Sequence, residues 1–151
     1  MSTGCRVLKP DDYVDARTLY ETLSAGRTLP EFDIGRAGFE RVIGHDGTWI
    51  IGAERGGRIV SFATLHVLPN MTYQMRPYAL IENVATLPDF QRRGIGRTVM
   101  AAATRKAWAE KAYKIMVLTN HARQTRGFYE KLGFVSGEKD GMILRPDAQP
   151  T

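Results

Sequence analysis

The sequence predicts a mixed α/β fold: a central, mostly antiparallel sheet with helices on both faces. Three observations predict it. Short apolar strand runs interleave with helix-period stripes in the order βααβββαβαββ. Hairpins are expected in the middle and at the end of the chain, which calls for antiparallel pairing around any parallel crossover. The length, 151 residues, suits one domain over residues 1–151 with one core.

The elements follow in order. Cys5 to Lys9 reads as a first strand. Asp11 or Asp12 is placed to cap a helix whose apolar stripe is Tyr13, Ala16, Tyr20 and Leu23, with Gly26 at its end. A second helix is expected over about Asp33 to Ile43, weakened by Gly35 and Gly38. Thr48–Glu54 and Ile59–Leu68 form a hairpin about Arg55-Gly56-Gly57-Arg58. Pro69–Pro77 is a loop, and Tyr78–Leu87 is a strand. A long helix over about Gly94–Lys111 carries Ile95, Val99, Ala102, Ala103 and Ala107 on one face. Lys114–Thr119 is a strand, Gln124–Leu132 a helix ended by Gly133, and Phe134-Val135 with Met142-Ile143-Leu144 a closing hairpin.

Composition narrows the function. Hydrophobic residues make up 43% and charged residues 25%, ordinary for a soluble globular protein. No run approaches the ~18 apolar residues of a membrane span. The N-terminus lacks the apolar core of a signal peptide, and Cys5 is the only cysteine; both fit a cytoplasmic protein. The net charge is +5, but the basic residues are scattered except for Arg92, Arg93 and Arg97, and no nucleic-acid-binding motif is present. An anionic small ligand explains that cluster better than nucleic acid does.

The cluster lies in Pro88-Asp89-Phe90-Gln91-Arg92-Arg93-Gly94-Ile95-Gly96-Arg97, where a strand hands over to the long helix. A helix start offers free N–H groups and a positive dipole end, a ready phosphate site. Gly94 and Gly96 let a ligand approach the backbone, and the arginines add charge-assisted contacts. The stretch is neither a P-loop, since Arg97-Thr98 follows Gly96, nor a dinucleotide fingerprint, since Val99 takes the third glycine position. By itself it also reads as a turn with solvated arginines.

Gln91-Arg92-Arg93-Gly94-Ile95-Gly96 resembles the Gln/Arg-x-x-Gly-x-Gly/Ala motif of the GNAT superfamily of acyl-CoA N-acyltransferases. Residues 79–90 resemble that family's fourth strand and its link to the glycine loop, and Phe128-Tyr129-Glu130-Lys131-Leu132-Gly133-Phe134 resembles its C-terminal signature. The likeness covers about Tyr78 to Phe134. It implies acetyl-CoA as co-substrate, with no metal. The backbone from Arg92 to Arg97 would hold the pyrophosphate. The backbone of Val84, Ala85 and Thr86 would pair with the pantetheine arm. The fourth and fifth strands would splay near Val84 and Leu118, with the thioester between them near Tyr129. Many members carry a cofactor-contacting Asn where this chain has Ala122; Asn120 is the candidate replacement.

Two residues carry the expected chemistry. Tyr129 is the candidate general acid, although Thr125, Phe128, Tyr129 and Leu132 also make an ordinary core stripe. Glu82 is the candidate base: a carboxylate in an apolar strand is costly unless it faces a cleft or a partner. Period-two alternation puts it on the face of Val84 and Thr86. Ile81-Glu82-Asn83-Val84 is similar to the Ile-Glu-Asp-Val of glucosamine-6-phosphate N-acetyltransferases, with Asn83 in place of Asp. His45, His66 and His121 read as surface or satisfied histidines, and Trp49 and Trp108 as packing residues.

The expected function is acetyl-CoA-dependent N-acetylation of a small-molecule amine, an amino sugar among the candidates. The acceptor would be lined by the first two helices and the Pro69–Pro77 loop, with Arg27, Arg36 or Arg76 on any anionic group. Acetylation of a protein lysine or N-terminus, and acyl-CoA sensing without turnover, are the alternatives. Apolar strands near the chain end fit a homodimer.

Overall fold

The structure is a computed structural model and describes residues 4–146. It divides into two compact units, Met1–Val117 and Leu118–Thr151. In the first unit, five strands form one sheet in the order β1-β2-β3-β4-β5: β1 (Gly4–Val7), β2 (Thr48–Arg55), β3 (Arg58–Leu68), β4 (Tyr78–Thr86) and β5 (Ile115–Val117). The first three pairings are antiparallel and β4–β5 is parallel, as a mixed sheet requires. Gly56 (φ 58°) and Gly57 (φ 77°) both take left-handed backbone in the β2–β3 turn, the geometry that matches strand twist.

Helices cover both faces. The Tyr20 ring of α1 (Tyr13–Ser24) meets Phe62 of β3 edge-on at 4.8 Å, placing α1 on the face of Phe62 and Thr64. Lys106 of α4 (Ile95–Ala109) lies 4.2 Å over the ring of Trp49, which pairs with Leu65, so α4 covers the opposite face. The core between these layers includes Leu19, Ile50, Phe62, Leu65, Val99 and Met100, all essentially buried. Each such side chain is worth about 1.5–3 kcal/mol of burial.

The buried helix stripes differ from the expected ones by a residue in places. Leu19 is buried in α1, and Met100 rather than Ala102 is buried in α4. Asp12 does not cap α1 through its side chain. Its carboxylate instead accepts from Arg6 at 2.7 and 2.8 Å and from the Lys9 N–H at 2.7 Å, which holds its pKa below the ordinary carboxylate value. The second helix, α2 (Phe32–Ile43), forms despite its glycines because tertiary packing outweighs propensity. Phe32 and Phe39 pack on Tyr13, and a Cβ at Gly35 would run into the Tyr13 hydroxyl, so the glycine admits the contact. In the β3–β4 connection, the short turn α3 (Thr72–Met75) contains three consecutive left-handed residues, Tyr73, Gln74 and Met75. Trp108 is 48% exposed and does not pack as expected.

In the second unit, α5 (Arg126–Glu130) is the one α-helix among the described residues. The expected closing hairpin does not form. Residues 134–135 and 142–144 are in no strand, and Val135, Met142, Ile143 and Leu144 are exposed. Runs of two and three residues make too few cross-strand pairs to hold a hairpin. The strands invoked for a homodimer are therefore not there.

Candidate active site

Strand β4 changes character along its length. Ala79, Leu80 and Ile81 pair with β5 on one edge, while β3 lies on the other. Pairing with β5 ends at Ile81–Val117, whereas β4 runs on to Thr86. This is the expected opening between the fourth and fifth strands. The Leu87 N–H bonds to the Val60 carbonyl of β3 at 2.9 Å. Alternation then turns the backbone of Ala85 toward β3 and that of Val84 and Thr86 toward the open edge. The Ala85 carbonyl accepts from Ser61 Oγ at 2.9 Å, which agrees.

A bulge marks the boundary. Phe62 pairs with Ala85 and Thr64 with Glu82, so Asn83 and Val84 together oppose the single residue Ala63. Asn83 takes a left-handed φ of 53°, a conformation that asparagine tolerates better than most residues. The extra residue corrects the expected facing. Glu82 shares a face with Leu80, Thr64 and His66, beneath α1, and lies opposite the face of Thr86, because strict alternation fails across the bulge. Glu82 is half-buried and, among the described residues, makes no ion pair.

Its neighbourhood is polar. Thr64, directly across from Glu82, is buried, and its hydroxyl oxygen makes no well-aligned hydrogen bond; the Tyr20 phenol is the group that faces it. Burial pushes the Tyr20 pKa up to about 12, so the phenol stays neutral at physiological pH. Burial also lowers the pKa of His66; the Glu82 charge opposes that shift and His45 adds to it.

The glycine loop is built from local constraints. Gln91 Nε2 donates to the Thr86 carbonyl at 3.0 Å and ties the loop to the end of β4. Arg92 (φ 56°) and Gly94 (φ 78°) are left-handed, and a Cβ on Gly94 would meet nothing within 4 Å. The first intrahelical bond of α4 is Thr98 N–H to Gly94 O at 3.1 Å, which leaves the N–H groups of Ile95, Gly96 and Arg97 without helical acceptors. Arg92, Arg93 and Arg97 are exposed and, among the described residues, sit in no ion pair. Arg93 lies 5.9 Å over the Phe90 ring. Three unneutralised guanidinium groups around a free helix start suit a polyanion.

The arginines expected on the acceptor each make bonds within the fold. Arg76 bonds the Lys111 and Ala112 carbonyls, Arg36 pairs with Asp11 and Glu40, and Arg27 bonds the Ser24 carbonyl.

The second unit holds the remaining expected residues. Tyr129 is buried, with its ring edge-on to Phe128 at 5.1 Å and Phe134 at 5.8 Å. Asn120 Oδ1 accepts from the Ala122 N–H at 2.9 Å. The side chain of His121 lies outside the described residues.

Sequence reasoning missed the polar group on this face of the sheet: Tyr20, Thr48, Thr64 and His66. The available signal was the placement of Thr48, Thr64 and His66 at even spacing on apolar strands. No described helix is long and apolar enough to cross a membrane.

Comparison with known proteins agrees with this geometry. The model of the acetyltransferase (GNAT) family matches residues 14–134. Over 83 residues, 55% of each chain, the sequence is 30% identical to glucosamine 6-phosphate N-acetyltransferase from Trypanosoma brucei brucei. That match spans about half the length of this relative. A candidate acetyltransferase from Agrobacterium tumefaciens str. C58 is 36% identical, with a TM-score of 0.86 over 94% of this chain and 99% of that one. An aminoglycoside N-acetyltransferase solved in complex with CoA reaches a TM-score of 0.80 over 97% and 96% of the two chains, and at 19% identity the likeness is one of fold.

Proposed function

The chain belongs to the acetyltransferase (GNAT) family, and from that premise we propose that it moves an acetyl group from acetyl-CoA to the primary amine of a small molecule. Amino sugars are the first class to test, because the relative matched over half its length acts on glucosamine 6-phosphate. One observation carries the reading. On a single strand, an open backbone edge at Val84 and Thr86 leads from the arginine-rich helix start to Glu82, a half-buried carboxylate without an ion partner among the described residues.

In this reading the pyrophosphate rests on the N–H groups and guanidinium groups between Arg92 and Arg97, with Gln91 holding the loop. Val84 and Thr86 pair with the pantetheine arm as an added strand would. The amine must be neutral to attack the thioester carbonyl. Glu82 takes its proton directly or through water. A backbone N–H at the bulge polarises the carbonyl. Tyr129 returns a proton to the departing thiolate; a phenol of pKa ~10 suits that leaving group. Holding amine and thioester together supplies much of the acceleration.

The test is free-thiol release from acetyl-CoA with a panel of glucosamine 6-phosphate, aminoglycosides, short diamines and lysine peptides. Turnover of a small amine supports the proposal. Turnover of the peptides alone would make this a protein acetyltransferase, and acetyl-CoA binding without thiol release would make it a sensor.

A further inference from the structure

Two linked hydrogen bonds lie on the face of the sheet that carries Glu82. Thr48 Oγ1 lies 2.9 Å from His66 Nδ1 and 3.2 Å from His45 Nδ1. Thr48 is only 4% exposed and pairs directly with His66 across β2 and β3. A hydroxyl has one proton and two lone pairs, so it donates to at most one of these rings and accepts from the other or from both. The two imidazoles are therefore coupled through one oxygen, and at least one of them carries its hydrogen at Nδ1.

At the inner end, His66 pairs with Leu80 and Glu82 with Thr64, so His66 and Glu82 are diagonal neighbours on one face. Such positions lie about 7–8 Å apart, within reach of long side chains or one bridging water. At the outer end, His45 is exposed and, with His66, Thr48 and Arg41, lines a recess of about 280 Å³ beside α2. The line thus runs from the candidate base to solvent.

We propose that the proton Glu82 takes from the amine leaves through His66, Thr48 and His45 into this recess. The proposal rests on Glu82 being the base. Glu82 gives its proton to Nε2 of His66. The Nδ1 proton of His66 passes to Thr48 Oγ1, whose own proton moves to Nδ1 of His45. His45 releases its Nε2 proton to water. One proton is transferred, no electrons move, and Glu82 is a carboxylate again.

The groups facing His66 set the pH range. Glu82 faces it from β4, His45 from the α2–β2 turn and Arg41 from α2 across the recess, while the neutral Tyr20 phenol lies at Thr64. Because burial lowers its pKa, His66 is neutral near pH 7 with a nitrogen free to accept. Acidification protonates the ring and closes the path.

The experiment has two readouts. Histidine ring resonances of the purified protein are followed by NMR against pH, assigned with His45→Gln and His66→Gln. We expect Glu82→Gln to lower the His66 midpoint, and His45→Gln to raise it. In a Thr48→Val background the second effect should vanish. Midpoints that ignore Glu82 and each other would overturn the line.

The second readout uses the amine returned by the thiol-release panel. His66→Gln should lower kcat roughly tenfold near neutrality, within the range of a lost proton-transfer partner, with KM little changed. It should lose the acid limb of the kcat–pH profile and recover activity with added imidazole. His45→Gln, at an exposed position, should shift the same limb less. Turnover with an unaltered pH profile in both variants would overturn the relay and leave the acetyltransferase reading intact. Coupled midpoints without turnover of any amine would support the line and overturn that reading instead.

Discussion

The two halves of β4 differ in almost every respect. From Ala79 to Ile81 the strand is paired on both edges, and Ala79 and Ile81 are buried. From Glu82 to Thr86 it loses β5, takes in an extra residue at Asn83, and exposes backbone along one edge. The first half spends its hydrogen bonds on the fold, and the second leaves them for something else. Adjacent residues should therefore fail in different ways when changed.

The sharpest contrast is Glu82 against Ile81. Glu82→Gln should lower kcat by ~100-fold or more, the scale of a lost general base. The melting temperature should stay within about 4 °C, because Gln keeps the shape of the side chain and no ion pair among the described residues is lost. Steady-state kinetics beside a thermal melt reads both. Ile81→Ala, one residue away and 2% exposed, should do the reverse. It should cost about 2–4 kcal/mol in denaturant unfolding, while the folded fraction keeps its kcat. Equal effects on both axes at the two positions would erase the distinction.

Arg92→Ala and Arg93→Ala test where the open half leads. Each should raise the KM for acetyl-CoA several-fold at low salt, and the gap from the parent should narrow as salt screens the charge. An unchanged KM in 20–50 mM salt, on the order of the low end used to expose such contacts, would remove the arginines from the cofactor site.

Thr64→Val probes the polar face opposite Glu82. The hydroxyl oxygen is buried and makes no well-aligned hydrogen bond to the Tyr20 phenol that faces it, so replacing it with a methyl should raise stability by about 1 kcal/mol. A loss of that size in denaturant unfolding would mean that the hydroxyl is satisfied.

The smallest effect concerns Asp12, far from this boundary. Its pKa is lowered in the folded state by the Arg6 hydrogen bonds. It therefore contributes stability above the ordinary carboxylate pKa of ~3.9 that is lost as pH falls through its folded value. Asp12→Asn should melt lower at pH 6 and show a shallower further loss toward pH 3. Parallel melting curves for variant and parent would contradict this.

The sequence made one side of β4 far easier to read than the other. Gly94, Gly96 and the arginines are legible because a loop that binds through its backbone writes itself as contiguous residues. The strands Thr48–Arg55 and Tyr78–Thr86 are legible because β-branched and apolar runs end at glycine and proline punctuation. The bulge was not legible. Asn83 looks like one more strand residue, and only the pairing of Thr64 with Glu82 reveals the change of face. The His45–Thr48–His66 line was hidden because it joins a turn and two strands 18 positions apart in sequence. The end of the chain misled for the opposite reason: Met142-Ile143-Leu144 has strand composition, but composition cannot supply a partner.

The most direct test of the account is calorimetric titration of the purified protein with acetyl-CoA, with dephospho-CoA and pantetheine as controls. The account predicts micromolar acetyl-CoA binding, of order −8 kcal/mol, that collapses for pantetheine because the pyrophosphate is gone. Equal binding of pantetheine and acetyl-CoA, or no binding by folded protein, would contradict it.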